Sequence, residues 1–473
     1  MPEPDFPDQT SSQRGLLWLV AAAFFMQSLD STIVNTAVPS IAVALGVEPL
    51  ALKTALTSYV LTLAIFIPAS PWLADRFGTR RVFAVSIGVF TLGSLACGMA
   101  QNLPQLITAR VLQGIGGALL MPVGRYVLVR SFSKQEFVAA MSTVAIPGLL
   151  GPVLGPLIGG ALAEFAHWRW IFLINLPVGI VGLWLNRSQM PNYVGEQRPF
   201  DYTGFVWFAL ASGLLLVAAE GAADQGPWWR ISAEILCAIG CGLAYWRHSR
   251  RTAHPVADLG LFNTRSFSIA IAGNLFTRLG VGGMSFLLVL FLQVGLGWSP
   301  FNAGLMLIPQ AFGMMLMKVF VDRVLKRFGY RRVLFSNTLL VGVLLAAFAL
   351  LGEHTPLAWI VALVFVYGFV MSLQYTAMNT LAFVDLGPDQ AAQGSSMAST
   401  AQYLSVSFGI ALASLLMAMF MDTEGPRTAN YIHAFQLSVL VLALMTLVAA
   451  FVFRRLRRER PLRPRVDEPE TAA

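Results

Sequence analysis

Long apolar runs, separated by short polar breaks, fill the chain from about residue 15 to residue 453. A helix that crosses a bilayer needs about 20 mainly apolar residues. Proline, glycine and charged residues in the breaks, such as Glu48-Pro49, predict where each helix ends. The predicted spans are 15–38, 50–70, 82–100, 104–124, 138–162, 169–186, 203–221, 229–246, 267–294, 301–320, 333–351, 357–383, 393–420 and 432–453. The pattern therefore predicts an all-α polytopic membrane protein with fourteen transmembrane helices.

Composition supports the membrane assignment and excludes other classes. Hydrophobic residues make up 56% of the chain, charged residues 12%, and the mean hydropathy is +0.67, which no ordinary soluble domain matches. The net charge of +8 does not indicate a nucleic-acid partner, because the basic residues flank the apolar runs. The three cysteines lie within apolar runs and indicate buried side chains, so no metal site, cofactor or disulfide is predicted.

The distribution of lysine and arginine predicts the orientation. With the N-terminus inside, 25 of the 32 basic residues lie in inner segments and 4 in outer loops. Inner loops of membrane proteins carry such an excess. The first run contains Asp30 and lacks a basic lead-in, so it is predicted to be a retained helix rather than a cleaved signal. We expect a multi-pass protein of a bacterial cytoplasmic membrane with both termini in the cytoplasm.

One heptapeptide occurs twice and predicts a duplicated architecture. Arg76-Phe77-Gly78-Thr79-Arg80-Arg81-Val82 returns 251 residues later as Arg327-Phe328-Gly329-Tyr330-Arg331-Arg332-Val333. Each copy lies between two apolar runs, as in transporters built from two related halves. The predicted division is an N-terminal six-helix bundle at 1–186, a linker with two extra helices at 187–266, a C-terminal six-helix bundle at 267–453 and a basic tail at 454–473.

A polar face on the first span contains the main candidate for proton coupling. Asp30 is the only carboxylate deep in that span. Together with Gln27, Ser31, Val34 and Asn35 it recurs at three- and four-residue steps, which place these residues on one helix face. A buried carboxylate must be neutral, paired or in contact with water. We expect Asp30 to face a central cavity and to exchange protons, with Gln27 and Asn35 in the cavity wall. A structurally paired aspartate is the alternative.

Arg110 in the fourth span is the second candidate for proton coupling. Gln113 follows it by one helical turn. Arginine keeps its charge in proteins, so Arg110 requires a carboxylate, carbonyl groups or water. We expect it to modulate Asp30 or to bind substrate, with Gln113 in the cavity. An arginine bonded only to backbone carbonyls is the alternative.

The fifth span contains small residues at intervals of four, together with prolines. Gly151, Gly155, Pro156, Gly159 and Gly160 predict a bent helix that packs closely against its neighbours. We expect this helix to act as a pivot or seal between the halves.

The first basic turn is a candidate conformational latch. Gly78 suits a tight turn, while Asp75, Arg76, Arg80 and Arg81 could form ion pairs that hold the halves together in the outward-facing state. Exposed pairs contribute little singly, so a latch requires several of them. Charge that only sets the topology is the alternative.

Polar residues in the second half predict the rest of a substrate cavity. Arg278 lies deep in the ninth span near Asn274. Deep cations favour an anionic or carboxylate-bearing substrate over a purely cationic one. The other candidate cavity residues are Gln310, Gln374, Tyr375, Asn379, Gln402 and Tyr403.

Five segments resemble motifs of the major facilitator superfamily, in particular its fourteen-helix drug:proton antiporters. The resemblance covers essentially the whole chain, with the motifs in the family's order. They are Leu29–Asn35 with Pro39, Leu73–Arg81, Arg110–Gly114, Gly151–Gly160 and Trp168–Pro177. Two departures are Pro71, where the loop motif usually has glycine, and Lys326, which replaces in the second copy the acid found at Asp75.

The resemblance implies a monomeric, proton-driven exporter of small molecules that acts on many drugs. Export of a specific anionic metabolite or metal chelate, such as a tricarboxylate, is the alternative, with Arg278 and Arg110 as anion ligands. No catalytic residues are predicted, because neither a His-Glu-x-x-His motif nor a paired intramembrane aspartate motif occurs. A channel or receptor is disfavoured by the repeat and by the fifth span.

Overall fold

Helices account for most of the residues described by a computed structural model, which are 11–421 and 427–456. Within these residues, thirteen helices are long and apolar enough to cross a membrane, and a fourteenth matches them in length. In chain order α1–α14 are Gln13–Leu45, Pro49–Phe77, Thr79–Met99, Leu103–Ser131, Ala139–Phe165, Trp170–Gln189, Tyr202–Ala223, Trp228–Ser249, Arg265–Gly295, Pro300–Lys318, Val321–Phe348, Leu357–Leu381, Gln393–Phe420 and Thr428–Arg455. Of the predicted basic tail, residues 457–473 lie outside the described part.

The predicted fourteen-span, all-α architecture is confirmed, although many helices are longer than their predicted spans. Helix α4 continues to Ser131 rather than ending at 124, and α2 continues to Phe77 rather than ending at 70. Hydropathy falls where charged residues appear, but backbone hydrogen bonding continues beyond the apolar core. Capping side chains help to set where a helix begins. At the start of α4, the Asn102 side chain accepts a hydrogen bond of 3.0 Å from the Gln105 amide.

The bundle has two ends, which we name by the chain termini. Because the number of crossings is even, Ser11 and Arg455 lie at the same end, here called the terminal end. The short connections after α1, α3, α5, α7, α9 and α11 lie at the opposite, distal end.

The glycine of the repeated heptapeptide has a similar backbone conformation among helices α1–α6, called here the first half, and among α9–α14, called here the second half. Gly78, after α2, has φ 81° and ψ 144°, and Gly329, within α11, has φ 73° and ψ 158°. Residues with a side chain rarely adopt such positive φ values. The two glycines therefore place an equivalent sharp turn at the terminal end of each half.

The two halves share a hydrophobic core towards the distal end. The largest buried apolar cluster includes Ile33 and Phe172 from the first half together with Phe291 and Phe348 from the second. A separate cluster lies mostly within the first half and includes Tyr59 and other buried residues of α1–α4. The shared cluster fixes how the helices that carry the polar residues are placed.

Helix α7 of the extra pair packs against α2 in a regular antiparallel register. Lys53 Nζ lies 2.5 Å from Asp224 Oδ1, and the Thr57 hydroxyl donates a hydrogen bond of 2.5 Å to Glu220. One turn further, Leu61 belongs to the same buried cluster as the α7 residue Leu216 and Ala411 of α13. The extra pair therefore contacts both halves.

Candidate functional site

Asp30 lies at the centre of a buried hydrogen-bond network. Its Oδ2 is 2.7 Å from Nη1 of Arg110, and its side chain is completely inaccessible to solvent. The Gln113 amide donates a hydrogen bond of 2.7 Å to the other carboxylate oxygen, and the Asn175 amide donates one of 3.1 Å to the same atom. The carboxylate is therefore held by one ion pair and two amides that come from α4 and α6.

Arg110 is equally enclosed, with only 1% of its surface exposed. Its Nη1 also donates a hydrogen bond of 2.6 Å to the Gln113 side-chain oxygen, and its Nε lies 3.4 Å from the Ala55 carbonyl oxygen. The guanidinium carbon lies 3.9 Å from the centre of the Tyr59 ring, close enough for a cation–π contact. The other neighbours of the guanidinium are an aromatic ring and uncharged carbonyl oxygens. The Asp30 carboxylate is therefore the counter-charge of Arg110.

Ser94 of α3 completes the network. Its hydroxyl oxygen accepts hydrogen bonds of 2.6 Å from Gln113 and 3.2 Å from Asn175. The network therefore joins α1, α2, α3, α4 and α6 within the first half. Sequence reasoning singled out Asp30, Arg110 and Gln113 but missed Ser94, Asn175 and Tyr59. Asn175 could have been noticed as an amide near the start of an apolar helix.

The position of Asp30 differs from the expected one. The polar face of α1 was expected to point into a central cavity, but the carboxylate lies against Arg110 within the first half and has no solvent-exposed surface. Gln27 is also buried, and its side-chain oxygen has no partner. Asn35 lies in a short 3₁₀ segment and is half-buried. In this conformation the ion pair is closed to water.

In the second half, Arg278 and Asn274 lie together as the sequence suggested. Arg278 Nε donates a hydrogen bond of 2.5 Å to the Asn274 side-chain oxygen, and the guanidinium carbon lies 3.9 Å from the centre of the Tyr375 ring. Arg278 is 6% exposed, and no carboxylate within the described residues pairs with it. A buried cation without a counter-charge is energetically costly and suits an anionic partner.

The remaining candidate cavity residues are dispersed. Gln374 is completely buried and bonded to Thr338 and Asn337 of α11, so it joins two helices instead of lining an open cavity. Asn379 is exposed near the terminal end of α12. The half-buried members of the set are Gln310, Gln402 and Tyr403.

The glycines of α5 pack directly against the helix that carries Asp30. A methyl group on Gly151 would lie 2.6 Å from the Leu29 amide nitrogen, and methyl groups on Gly155 and Gly159 would overlap Thr32 and Ile33. Close approach of this kind requires residues without a side chain. Helix α5 therefore constrains α1 on both sides of Asp30.

The distal part of α5 contacts the second half. Methyl groups on Gly160 and Gly304 would overlap the Pro300 and Pro156 carbonyl oxygens, respectively. The Phe301 amide donates a hydrogen bond of 2.9 Å to the Glu164 carboxylate at the same place. One helix thus touches both the helix of Asp30 and the facing half, and the distal end is closed there.

The first basic turn is bonded within its own half and to the segment that follows α6. The Tyr126 hydroxyl donates a hydrogen bond of 2.8 Å to Asp75, and Arg80 Nε donates one of 2.6 Å to the Met190 carbonyl. Arg76 donates a hydrogen bond to the Gln197 side chain. Arg81 is exposed. The expected latch across the halves stays a prediction for another conformation.

Comparison with known proteins agrees with this architecture. The model of the Major Facilitator Superfamily matches residues 20–410. A protein of Pectobacterium atrosepticum is 42% identical over 449 residues, which cover 94% of this chain and 96% of that protein. A Salmonella typhi protein is 44% identical over 459 residues, covering 95% of this chain and 96% of the relative. Both are named "Putative multidrug resistance protein MdtD".

Solved transporter structures have the same fold. An auto-inhibited peptide transporter of the POT family superposes with a TM-score of 0.70 at 20% identity, covering 95% of this chain and 99% of that chain. An inward-facing, unoccupied bacterial homolog of the human lysosomal transporter Spinster gives a TM-score of 0.67 at 15% identity, covering 94% of this chain and 97% of the other. With the match to the family model and these relatives, the chain belongs to the Major Facilitator Superfamily and is a transporter, not an enzyme.

Proposed function

We propose that the chain is a proton-coupled antiporter that exports small molecules and acts as a multidrug efflux protein. The observation that carries the proposal is the closed Asp30–Arg110 pair, which lies on a helix that α5 connects to the facing half. Transporters of this kind work by movement of one half against the other. The names of the related proteins support efflux of more than one compound.

The orientation follows from the charge bias. The terminal end carries the inner segments, which hold 25 of 32 basic residues, so we place it in the cytoplasm of a bacterial inner membrane. The distal end then faces outside, and the contacts of α5 with Pro300 and Phe301 close the outer side. We also expect the exporter to act as a monomer.

Protonation of Asp30 provides the coupling step in this proposal. A neutral carboxyl group no longer balances Arg110, whose remaining acceptors are the Gln113 and Ala55 oxygens. Removing one partner of a buried ion pair destabilises a protein by about 3–5 kcal/mol. One proton that enters down ~150 mV supplies roughly 3.5 kcal/mol. Because the two energies are similar, one proton is sufficient to change which state of the pair is favoured.

The proposed cycle connects this pair to the movement of the halves through α5. When Arg110 loses its counter-charge, α1 and α4 rearrange, and the glycine contacts transmit the change from α1 to α5 and α10. Protonation from outside and substrate binding from inside then favour opposite states. If the proton and the substrate favoured the same state, the protein would not exchange one for the other.

An uptake screen with inverted vesicles tests the proposed function. Vesicles with and without the protein receive a mixture of drugs and metabolites, in the presence or absence of a pH gradient. We expect several unrelated compounds to accumulate only with both protein and gradient. Accumulation that persists when the gradient is removed would contradict proton coupling.

A second candidate function is export of a specific anionic metabolite or metal chelate. Arg278 favours it, because this buried guanidinium has Asn274 and Tyr375 as neighbours but no carboxylate partner among the described residues. The variant Arg278→Gln separates the two functions. Loss of transport confined to carboxylate-bearing compounds indicates the specific exporter, whereas unchanged transport of all compounds argues against it.

A further inference from the structure

The two copies of the basic turn differ in the hydrogen-bond partners of their arginines. At the first turn, Arg76 and Arg80 donate hydrogen bonds to Gln197 and Met190 in the segment after α6. The Thr79 amide also donates a hydrogen bond of 3.0 Å to the Tyr193 carbonyl. The segment after α6 therefore supplies hydrogen-bond partners to the first copy.

At the second turn, the cations have no comparable partners. Within the described residues, Arg327, Arg331 and Arg332 form no hydrogen bond through their side chains and no ion pair; the guanidinium of Arg327 lies 5.7 Å from the Phe328 ring centre. Lys326 stands where the first copy has Asp75. The full set of charges at 321–333 comprises five cations, Arg323, Lys326, Arg327, Arg331 and Arg332, and one carboxylate, Asp322.

An apolar groove begins at the second turn. It has a volume of about 310 Å³, and its lining residues are Val324, Phe328, Arg332, Val333, Ser336, Asn337, Leu340 and Leu373. Leu340 is 44% exposed, and Val343 on the same helix is 57% exposed. Exposed aliphatic residues along a membrane-spanning helix face lipid, so the groove opens towards the bilayer.

We propose that this groove binds one anionic phospholipid. The phosphate group contacts Arg332 and its neighbours Arg327 and Arg331, and an acyl chain lies along Leu340 and Leu373. Basic pockets between helices on the cytoplasmic side suit anionic headgroups, each near-surface cation contributing ~1 kcal/mol. The apolar length of the groove matches a lipid better than a free phosphate ion. The assignment to the cytoplasmic leaflet rests on the orientation proposed above.

Native mass spectrometry of the detergent-purified full chain tests the lipid site. Phosphatidylglycerol or phosphatidylcholine is titrated into delipidated protein. We expect one phosphatidylglycerol to bind in preference to phosphatidylcholine. The combined variant Arg327→Gln, Arg331→Gln and Arg332→Gln should bind it about a hundredfold more weakly, which corresponds to about 1 kcal/mol for each cation.

Matched variants distinguish binding at a defined site from non-specific attraction of the lipid to positive charge. The same three replacements in the first copy, at Arg76, Arg80 and Arg81, should leave the affinity within about twofold, because Arg76 and Arg80 already donate hydrogen bonds to Gln197 and Met190. The variant Leu340→Trp, which fills the groove without changing charge, should weaken binding. Excess inorganic phosphate should not displace the lipid.

Three results would overturn the lipid site. They are equal affinity for both lipids, unchanged affinity of the second-turn variant, and displacement by inorganic phosphate. Binding in detergent requires neither transport nor a particular membrane orientation. Failure of this proposal is therefore distinguishable from failure of the antiport proposal.

Discussion

Removing the charge of Asp30 should destabilise the protein through Arg110. In the variant Asp30→Asn the guanidinium stays buried, with 1% exposure, and loses the partner that lies 2.7 Å away. Leaving a buried charge unpaired costs about 3–5 kcal/mol. We therefore expect the free energy of unfolding to fall by ~4 kcal/mol, and by a similar amount in Arg110→Gln, where the carboxylate is left unpaired.

The double variant tests whether these losses arise from one interaction. Two amides in place of the ion pair leave no buried charge, so the double variant should lose no more than either single variant, about 4 kcal/mol, rather than the ~8 kcal/mol expected for independent sites. The resulting coupling energy is at least about 4 kcal/mol. Titration with sodium dodecyl sulfate in mixed micelles, monitored by tryptophan fluorescence, measures all four free energies of unfolding.

A matched control uses the other buried arginine. Arg278 shares no hydrogen-bond partner with Asp30, so Asp30→Asn and Arg278→Gln should be additive within ~0.5 kcal/mol. Additivity of Asp30→Asn with Arg110→Gln would refute the view that the pair is a closed electrostatic unit.

Three further predictions concern packing, the extra helix pair and pH. Gly159→Ala should abolish transport in vesicles, because a methyl group overlaps α1, whereas Gly213→Ala, in open space, should not. Glu220→Leu should lower the free energy of unfolding by ~1–3 kcal/mol, and Glu220→Gln should cause a much smaller loss because it can still accept a hydrogen bond. Hydrogen bonds from the Ser133 hydroxyl and amide lower the pKa of Glu136. Its contribution is therefore present above the ordinary glutamate range and is lost on acidification, so the Tm difference between wild type and Glu136→Ala should shrink at low pH.

The overall architecture was predictable because it depends on local patterns. Apolar length identifies the helices, and the repeated turn requires a glycine in each copy, as the positive φ values of Gly78 and Gly329 show. Helix α8 was the least apolar of the predicted spans, because Arg230 and Glu234 lie near one end and Arg247 near the other. Hydropathy alone could not fix the helix ends, which depend on capping hydrogen bonds.

The candidate site was only partly predictable. Asp30 and Arg110 stand out because charged residues are rare at membrane depth, but their pairing depends on how α1 and α4 are rotated. Ser94 and Asn175 lie on different helices from Asp30, so the sequence alone does not show that they bond to the same network. Gln374 shows the opposite error: a polar side chain within a span suggested a cavity, although it bonds to Asn337 and Thr338 between packed helices.

The most direct test of the mechanism compares exchange with accumulation in proteoliposomes that contain wild-type protein or Asp30→Asn. A transported compound from the vesicle screen serves as substrate. Exchange of labelled for unlabelled substrate without a pH gradient requires only movement of the loaded protein, whereas accumulation driven by the gradient also requires proton binding. We predict that Asp30→Asn retains exchange and loses gradient-driven accumulation. Wild-type levels of gradient-driven accumulation in Asp30→Asn would contradict the account.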